Sequence, residues 1–304
     1  MSSVPSVQRW CPVCGENRPR PAWAKGSLRV VRCDGCSMLY ANPVAAEFVS
    51  GEFYGRSSYH LSPNKLESDF ARSRFERELK IFRPFCASGA VLDVGCSTGA
   101  FLHRLKSIPG AAYEVFGMDV PGPALDYAAT QGIPVIAPPF PDHDFGEQRF
   151  DAVTFWAVLE HLDQPGRFLA KAAAVLRAGG HCFILVPNAR SLAMRLLGPR
   201  YRYVMPEHLN YFTRKALLRF ARTEPRFRVA ELRMTHFNPI VVWQDWRSGD
   251  IAVPEQDRAR LLKQTTALKE SSLVAPIKTI YRVLERLLAA AGLADNLVLV
   301  LQRS

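Results

Sequence analysis

The stretch Ala90-Val91-Leu92-Asp93-Val94-Gly95-Cys96-Ser97-Thr98-Gly99-Ala100-Phe101-Leu102 carries the most informative chemistry in the chain. It reads as a buried strand, a glycine turn and the start of a helix, the arrangement at which a nucleotide-like cofactor binds. Gly95 and Gly99 let the backbone approach a ligand where a Cβ would intrude. Asp93 ends the strand with a carboxylate, which would repel a phosphate held at the helix N-terminus and so favours a ligand carrying positive charge. Neither the dinucleotide pattern G-x-G-x-x-G nor the P-loop pattern is present at this turn. A second acid, Asp119, ends the strand-like Tyr113–Met118 run, where a carboxylate suits ribose hydroxyls.

Four cysteines form a second constellation. Cys11, Cys14, Cys33 and Cys36 make two C-x-x-C pairs, with Gly15 and Gly35 fitting the turns that such knuckles require. Two knuckles converging on one ion give a closed tetrahedral shell, so the expectation is structural Zn2+. Two disulfides and a thioredoxin-like redox pair are the rival readings. A reducing compartment disfavours the first, and the lack of a surrounding βαβ unit disfavours the second. Cys86 and Cys182 are expected to be core thiols.

These residues need elements to position them. Strand-like segments at 90–94, 113–118, 133–137, 150–156 and 181–187 alternate with helical segments at 122–131 and 164–176, and a turn at Gly179–Gly180 precedes the last of these strands. That alternation predicts a Rossmann-like, doubly wound, mostly parallel α/β sheet covered on both faces. The 304 residues, 48% hydrophobic, suffice for one full core and a small extra module. The expected organisation is a zinc ribbon at 1–42, a helical linker or lid at 43–88 with a charged helix near 64–82, and a cofactor-binding domain at 89–304 with a helical insertion at 244–292. In that insertion the last helix places Ile277, Ile280, Tyr281, Leu284, Leu287 and Leu288 on one face, read as burial against the core, with a dimer surface or membrane contact as alternatives.

Taken together, these motifs resemble the class I S-adenosylmethionine-dependent methyltransferases, in particular the ubiquinone-type O-methyltransferase branch. VLDVGCSTG resembles the family's first motif, D-x-G-x-G-x-G, with Ser97 where the middle glycine is usual. The resemblance implies S-adenosyl-L-methionine as cofactor, held by Asp93, Gly95, Cys96, Ser97, Thr98 and Gly99 on its methionine side and by Asp119 and Val120 at the ribose. It places Phe140 near the adenine and Trp156 at the end of the fourth strand of a seven-stranded sheet, with the last strand at 294–303. Methyl transfer to a hydroxyl needs an in-line approach and a base. His161, just past the fourth strand, and His208, in the segment that commonly borders the family's acceptor pocket, are the candidates. Glu160 would pair with His161 or help to hold a divalent cation. The remaining histidines, His60 among them, are read as surface or packing residues.

The net charge of +11 is concentrated between Arg190 and Arg233, which holds eleven Lys/Arg and three Glu. A solvated face is the plain reading. An anionic small-molecule acceptor, anionic lipid and RNA are the functional ones, and RNA ranks last because the arginines form no contiguous stripe with exposed aromatics. No secretory apolar stretch follows Met1 and no membrane-length apolar run occurs, so a cytoplasmic monomer or homodimer is expected. The aromatics of Glu52–Tyr59 beside Gly55 read as a mobile lid or as a packed linker. Methylation of a small molecule, most readily at oxygen, is the resulting expectation. Sugar C-methylation and ribbon-guided RNA methylation are the alternatives.

Overall fold

The computed structural model describes residues 5–71, 73–248 and 275–304. Among the described residues thirteen strands follow in chain order: β1 (Ser6–Val7), β2 (Pro19–Lys25), β3 (Leu28–Cys33), β4 (Leu39–Ala41), β5 (Val44–Ala45), β6 (Gly89–Val94), β7 (Tyr113–Met118), β8 (Val135–Ile136), β9 (Phe150–Trp156), β10 (Leu176–Pro187), β11 (Asn210–Tyr211), β12 (Phe227–Thr235) and β13 (Asn296–Arg303). Seven of them form one sheet in the order β12-β13-β10-β9-β6-β7-β8. β6, β7, β8, β9 and β10 run parallel, whereas β13 is antiparallel to both β10 and β12.

Side-chain alternation along these strands divides the core into two layers. Leu92, Val153, Phe155, Ile184 and Leu299 pack on one face against Leu169 and Ala172 of the helix Pro165–Val175 and Leu217 and Phe220 of the helix Arg214–Ala221. Val91, Ala152, Phe183 and Val298 pack on the other against Phe82, Phe101, Leu102 and Leu125. The expected doubly wound, seven-stranded architecture is thus the one observed.

Local geometry departs from the sequence expectation in three places. The charged segment 64–82 is two helices, Pro63–Asp69 and Glu76–Phe82, and the second starts after Phe75, which adopts the left-handed conformation at φ 63. The turn at Gly179–Gly180 interrupts a single strand, β10, as a register irregularity against β9 between Leu176 and His181. In the helix Ala275–Ala290 the expected apolar face is split: Leu288 is buried and the Tyr281 hydroxyl donates to the Phe237 carbonyl, but Leu284 and Leu287 are exposed. The side chains of Ile277 and Ile280, and residues 249–274 of the insertion, lie outside the described residues. No helix among the described residues is long and apolar enough to cross a membrane.

The cysteine-bearing segment is knitted into the larger domain. β2, β3 and β4 form an antiparallel sheet that β11 completes, with Tyr40 opposite Asn210 and Leu39 opposite Tyr211. Cys11, Val13, Met38 and Tyr40 belong to the same apolar cluster as the first layer of the main sheet.

Candidate active site

The glycine turn leaves the carboxyl end of β6 and is tied to the end of β7, where the Met118 carbonyl accepts the N–H groups of Gly95 and Cys96. Gly95 has φ 76, and a Cβ there would lie 2.5 Å from Val158 Cγ2, so a side chain has neither the conformation nor the room. Ser97 also occupies the left-handed region, at φ 51, which accounts for glycine being usual in the family there. Its Oγ is buried without a partner among the described residues. Thr98 is buried beneath the turn, and Cys96 directs its sulfur inward over Gly117.

Asp93 is 3% exposed and accepts the Thr154 hydroxyl at 2.6 Å. Burial pushes its carboxyl up to about 7, against the lowering effect of that bond. Asp119 accepts N–H groups from Ser97 and Val120, both at 2.7 Å, while burial raises its pKa. Each carboxylate oxygen retains a further lone pair for a ligand hydroxyl. An orphaned hydroxyl, a cradle that a Cβ would fill and two acids suited to an ammonium and a diol fit the methionine and ribose ends of S-adenosylmethionine.

Phe140 and Trp156 are placed differently from the other candidates. The Phe140 ring is 2% exposed, packed against Phe145, Phe155 and Phe168 within the core, so only its backbone could face an adenine. Trp156 packs edge-on against Phe101, and its buried Nε1 has no partner among the described residues.

Beyond β9 the chain makes the short 3-10 turn Leu159–His161, and beyond β10 it returns through His208 to β11. The Leu209 N–H donates to the Glu160 carbonyl at 2.7 Å, bringing His161 and His208 to a centroid separation of 4.7 Å. One ligand atom each from Glu160, His161 and His208 lies within 4.8 Å of the others. A cation bound there would have three protein ligands and open positions.

Nδ1 of His161 is 2.9 Å from the Glu207 carbonyl oxygen. A carbonyl only accepts, so Nδ1 carries the proton and Nε2 the lone pair. Burial lowers the pKa of His161, which keeps the ring neutral and basic at pH 7. Burial pushes Glu160 up to about 8, and its Oε2 has no partner among the described residues. Both shifts favour the uncharged forms, a carboxylic acid beside a neutral imidazole. A cavity next to them is lined by Asn188, Met194, Tyr201, Tyr203, His208 and Tyr211.

Two residues at this site were not singled out from sequence. Tyr54 sets its hydroxyl 2.9 Å from His161 Nδ1 and 3.2 Å from the Glu207 carbonyl. Its segment had been marked as a lid or linker, but nothing local indicated which aromatic would turn inward. His60, read as surface or packing, is half-buried and close enough to His161, Lys65 and Asp69 to interact with each, and desolvation lowers it to about 4. The Gly55 carbonyl lies 2.7 Å from where a Gly122 Cβ would be, so 52–56 closes backbone to backbone over the loop after Asp119.

Cys11, Cys14, Cys33 and Cys36 bring their four sulfur atoms within 4.8 Å of one another. The contacts Cys11–Cys36 at 3.3 Å and Cys14–Cys33 at 3.5 Å are non-bonded. Burial pushes the Cys36 thiol up to about 11, so a buried thiolate set calls for a cation. The donor set and its closure fit Zn2+. In the basic stretch 190–233, Arg202 pairs with Asp245, Arg226 with Glu224, and Arg233 with Glu231.

A family model described as a methyltransferase domain matches residues 68–223, half of the chain. The chain belongs to this methyltransferase family. It is 30% identical over 163 residues to a ubiquinone biosynthesis O-methyltransferase of Proteus mirabilis, covering 49% of this chain and 65% of that one. A ubiquinone/menaquinone biosynthesis C-methyltransferase of Desulfotalea psychrophila is 33% identical over 193 residues, covering 58% and 76%. The chain thus spans about two thirds to three quarters of the length of these relatives. Among solved structures, a SAM-dependent methyltransferase from Archaeoglobus fulgidus superimposes with a TM-score of 0.52 at 17% identity, covering 81% of this chain and 100% of that one. Phosphoethanolamine N-methyltransferase 2 of Haemonchus contortus, in complex with S-adenosyl-L-methionine, gives a TM-score of 0.52 at 16% identity, covering 88% and 62%. These likenesses show the Rossmann-like methyltransferase fold.

Proposed function

We propose that this chain is an S-adenosylmethionine-dependent O-methyltransferase that alkylates a hydroxyl of a small molecule. The observation that carries the reading is the His161 ring, held through Nδ1 by the Glu207 carbonyl and Tyr54 so that Nε2 is available as a base at the carboxyl edge of the sheet that also bears Asp93. Bound in the Gly95–Gly99 turn, S-adenosylmethionine would supply a methyl group on a sulfonium. Asp93 would hold its ammonium and Asp119 its ribose. His161 would take the acceptor's proton as the methyl passes from the sulfonium to the acceptor oxygen and S-adenosylhomocysteine leaves, with Glu160 and His208 beside His161. The names of the ubiquinone O-methyltransferase relatives support oxygen as the target. The charge between Arg190 and Arg233 leaves an anionic acceptor as the reading for its class.

Four thiolates on one Zn2+ would tie the two cysteine knuckles together, adding to the packing of Cys11, Val13, Met38 and Tyr40 on the main core. The test is labelled-methyl transfer into a metabolite extract, with the product identified by NMR. A new methyl ether bears the reading out. Label on carbon, or in RNA with activity that falls steeply with salt, would replace it.

A further inference from the structure

We infer that Arg9, anchored in the cysteine ribbon, is the positioning residue setting the separation of the loops that carry His161 and His208. This rests on the proposed role of those histidines.

Arg9 stands two residues before Cys11 and is 4% exposed, although guanidinium groups are rarely so deeply buried. Its Nε donates to Asp163 Oδ1 at 2.6 Å and its Nη2 to the Asp163 carbonyl at 2.8 Å, on the chain just after His161. Nη1 donates to the Leu209 carbonyl at 2.9 Å and Nη2 also to Asn210 Oδ1 at 3.0 Å, on the chain just after His208. Asn210 then turns its amide back to the carbonyls of Leu159 and Leu162, both at 2.7 Å. One fork therefore spans both loops, and the ribbon fixes its origin: the Arg9 N–H donates to Asn42 Oδ1, and β4 pairs with β11.

A planar group with donors in several directions is needed to serve both loops at once, and a lysine cannot replace it. Among the described residues, the contacts of Arg9 fall on the ribbon and on these two loops, with none on the turn 93–99 or on Asp119. Its loss should therefore be felt on the acceptor side alone. Removing its donors takes the guanidinium from Asn210 Oδ1 in one loop and from the Asp163 carbonyl and carboxylate in the other, while the Leu209 carbonyl keeps the Ala41 N–H, so the tie between the two loops is lost.

The experiment uses the full chain with Arg9→Met, Arg9→Lys and Asp163→Asn. The last removes the charge, but not the acceptor oxygen, at the partly exposed end of the fork. Imidazole 1H–15N spectra report on His161 and His208 without any acceptor, calorimetry reports S-adenosylhomocysteine affinity, and labelled-methyl transfer reports turnover. The expected result is displaced His161 and His208 resonances in both Arg9 variants, a smaller displacement in Asp163→Asn, unchanged affinity, and turnover lowered about ten- to a hundredfold in the Arg9 variants. Should Arg9→Met fail to fold, Arg9→Lys and Asp163→Asn carry the same readouts. Resonances that overlay those of the parent protein would overturn the inference, as would loss of S-adenosylhomocysteine affinity in step with them. Displaced resonances with label on carbon would keep it and discard the hydroxyl reading.

Discussion

Tyr54 holds its hydroxyl 2.9 Å from Nδ1 of His161, so a residue of the segment before the cofactor domain helps to orient the candidate base. The Glu207 carbonyl secures the same nitrogen. The two contacts overlap in function, and their removal should have graded effects. Tyr54→Phe is expected to lower turnover about threefold to tenfold, the worth of one neutral hydrogen bond. His161→Ala is expected to lower it about a hundredfold or more, as loss of a general base does. Steady-state labelled-methyl assays check both, with S-adenosylhomocysteine affinity unchanged in each. Near-normal turnover in His161→Ala would transfer the role to His208.

Asp119 accepts two backbone N–H groups and still has capacity for a ribose diol. Asp119→Ala should weaken S-adenosylhomocysteine binding by about 1.5–3 kcal/mol, the range for hydrogen bonds to a charged group. Calorimetry reads this directly, and an unchanged affinity would remove the ribose assignment.

Glu160 gives a signed pH dependence. Its pKa is raised from an ordinary carboxyl value to about 8, so between those limits the folded chain binds a proton that the unfolded chain does not. Its contribution to stability is fully present below pH 4.5 and is lost as pH rises through about 8. His161 and His208 face it directly, and its charge also reaches Tyr54 and Tyr203. Thermal melts from pH 5 to pH 9 should therefore decline less steeply for Glu160→Gln than for the parent chain. Parallel curves would mean that Glu160 is ionised throughout.

The four clustered sulfurs should hold about one zinc per chain by elemental analysis. Cys33→Ser should lose the metal and lower the melting temperature, because the bond energy that organises the ribbon goes with it. A metal-free parent chain with an unchanged melt would refute the site.

Much of the cofactor half of the site was legible because it is local. Strand, turn and helix lie consecutively in 89–106, and the Gly95 and Ser97 conformations follow from the motif itself. The acceptor half was legible only as separate pieces. His161 and His208 could each be placed at the sheet edge, but their 4.7 Å approach is made by the Leu209–Glu160 bond between distant segments. Tyr54, His60 and Arg9 act across long sequence separations for which no periodicity or spacing gives a signal. Phe140 misleads in the opposite way, since its motif position places it near a ligand while three neighbouring aromatics draw its ring into the core. The single helix expected over 64–82 is broken near Phe75 by a backbone conformation that its side-chain pattern does not encode.

The pairing of β4 with β11 has a consequence during synthesis on the ribosome. Arg9 and its acceptor at Leu209 are 200 residues apart, so the cysteine knuckles emerge long before the strand that caps them. Until Asn210 and Tyr211 are translated, Leu39–Ala41 presents a bare, apolar hydrogen-bonding edge, the kind of surface that invites association between nascent chains. Completion of that small sheet is thus a late event, and ordering of the His208 loop waits upon it.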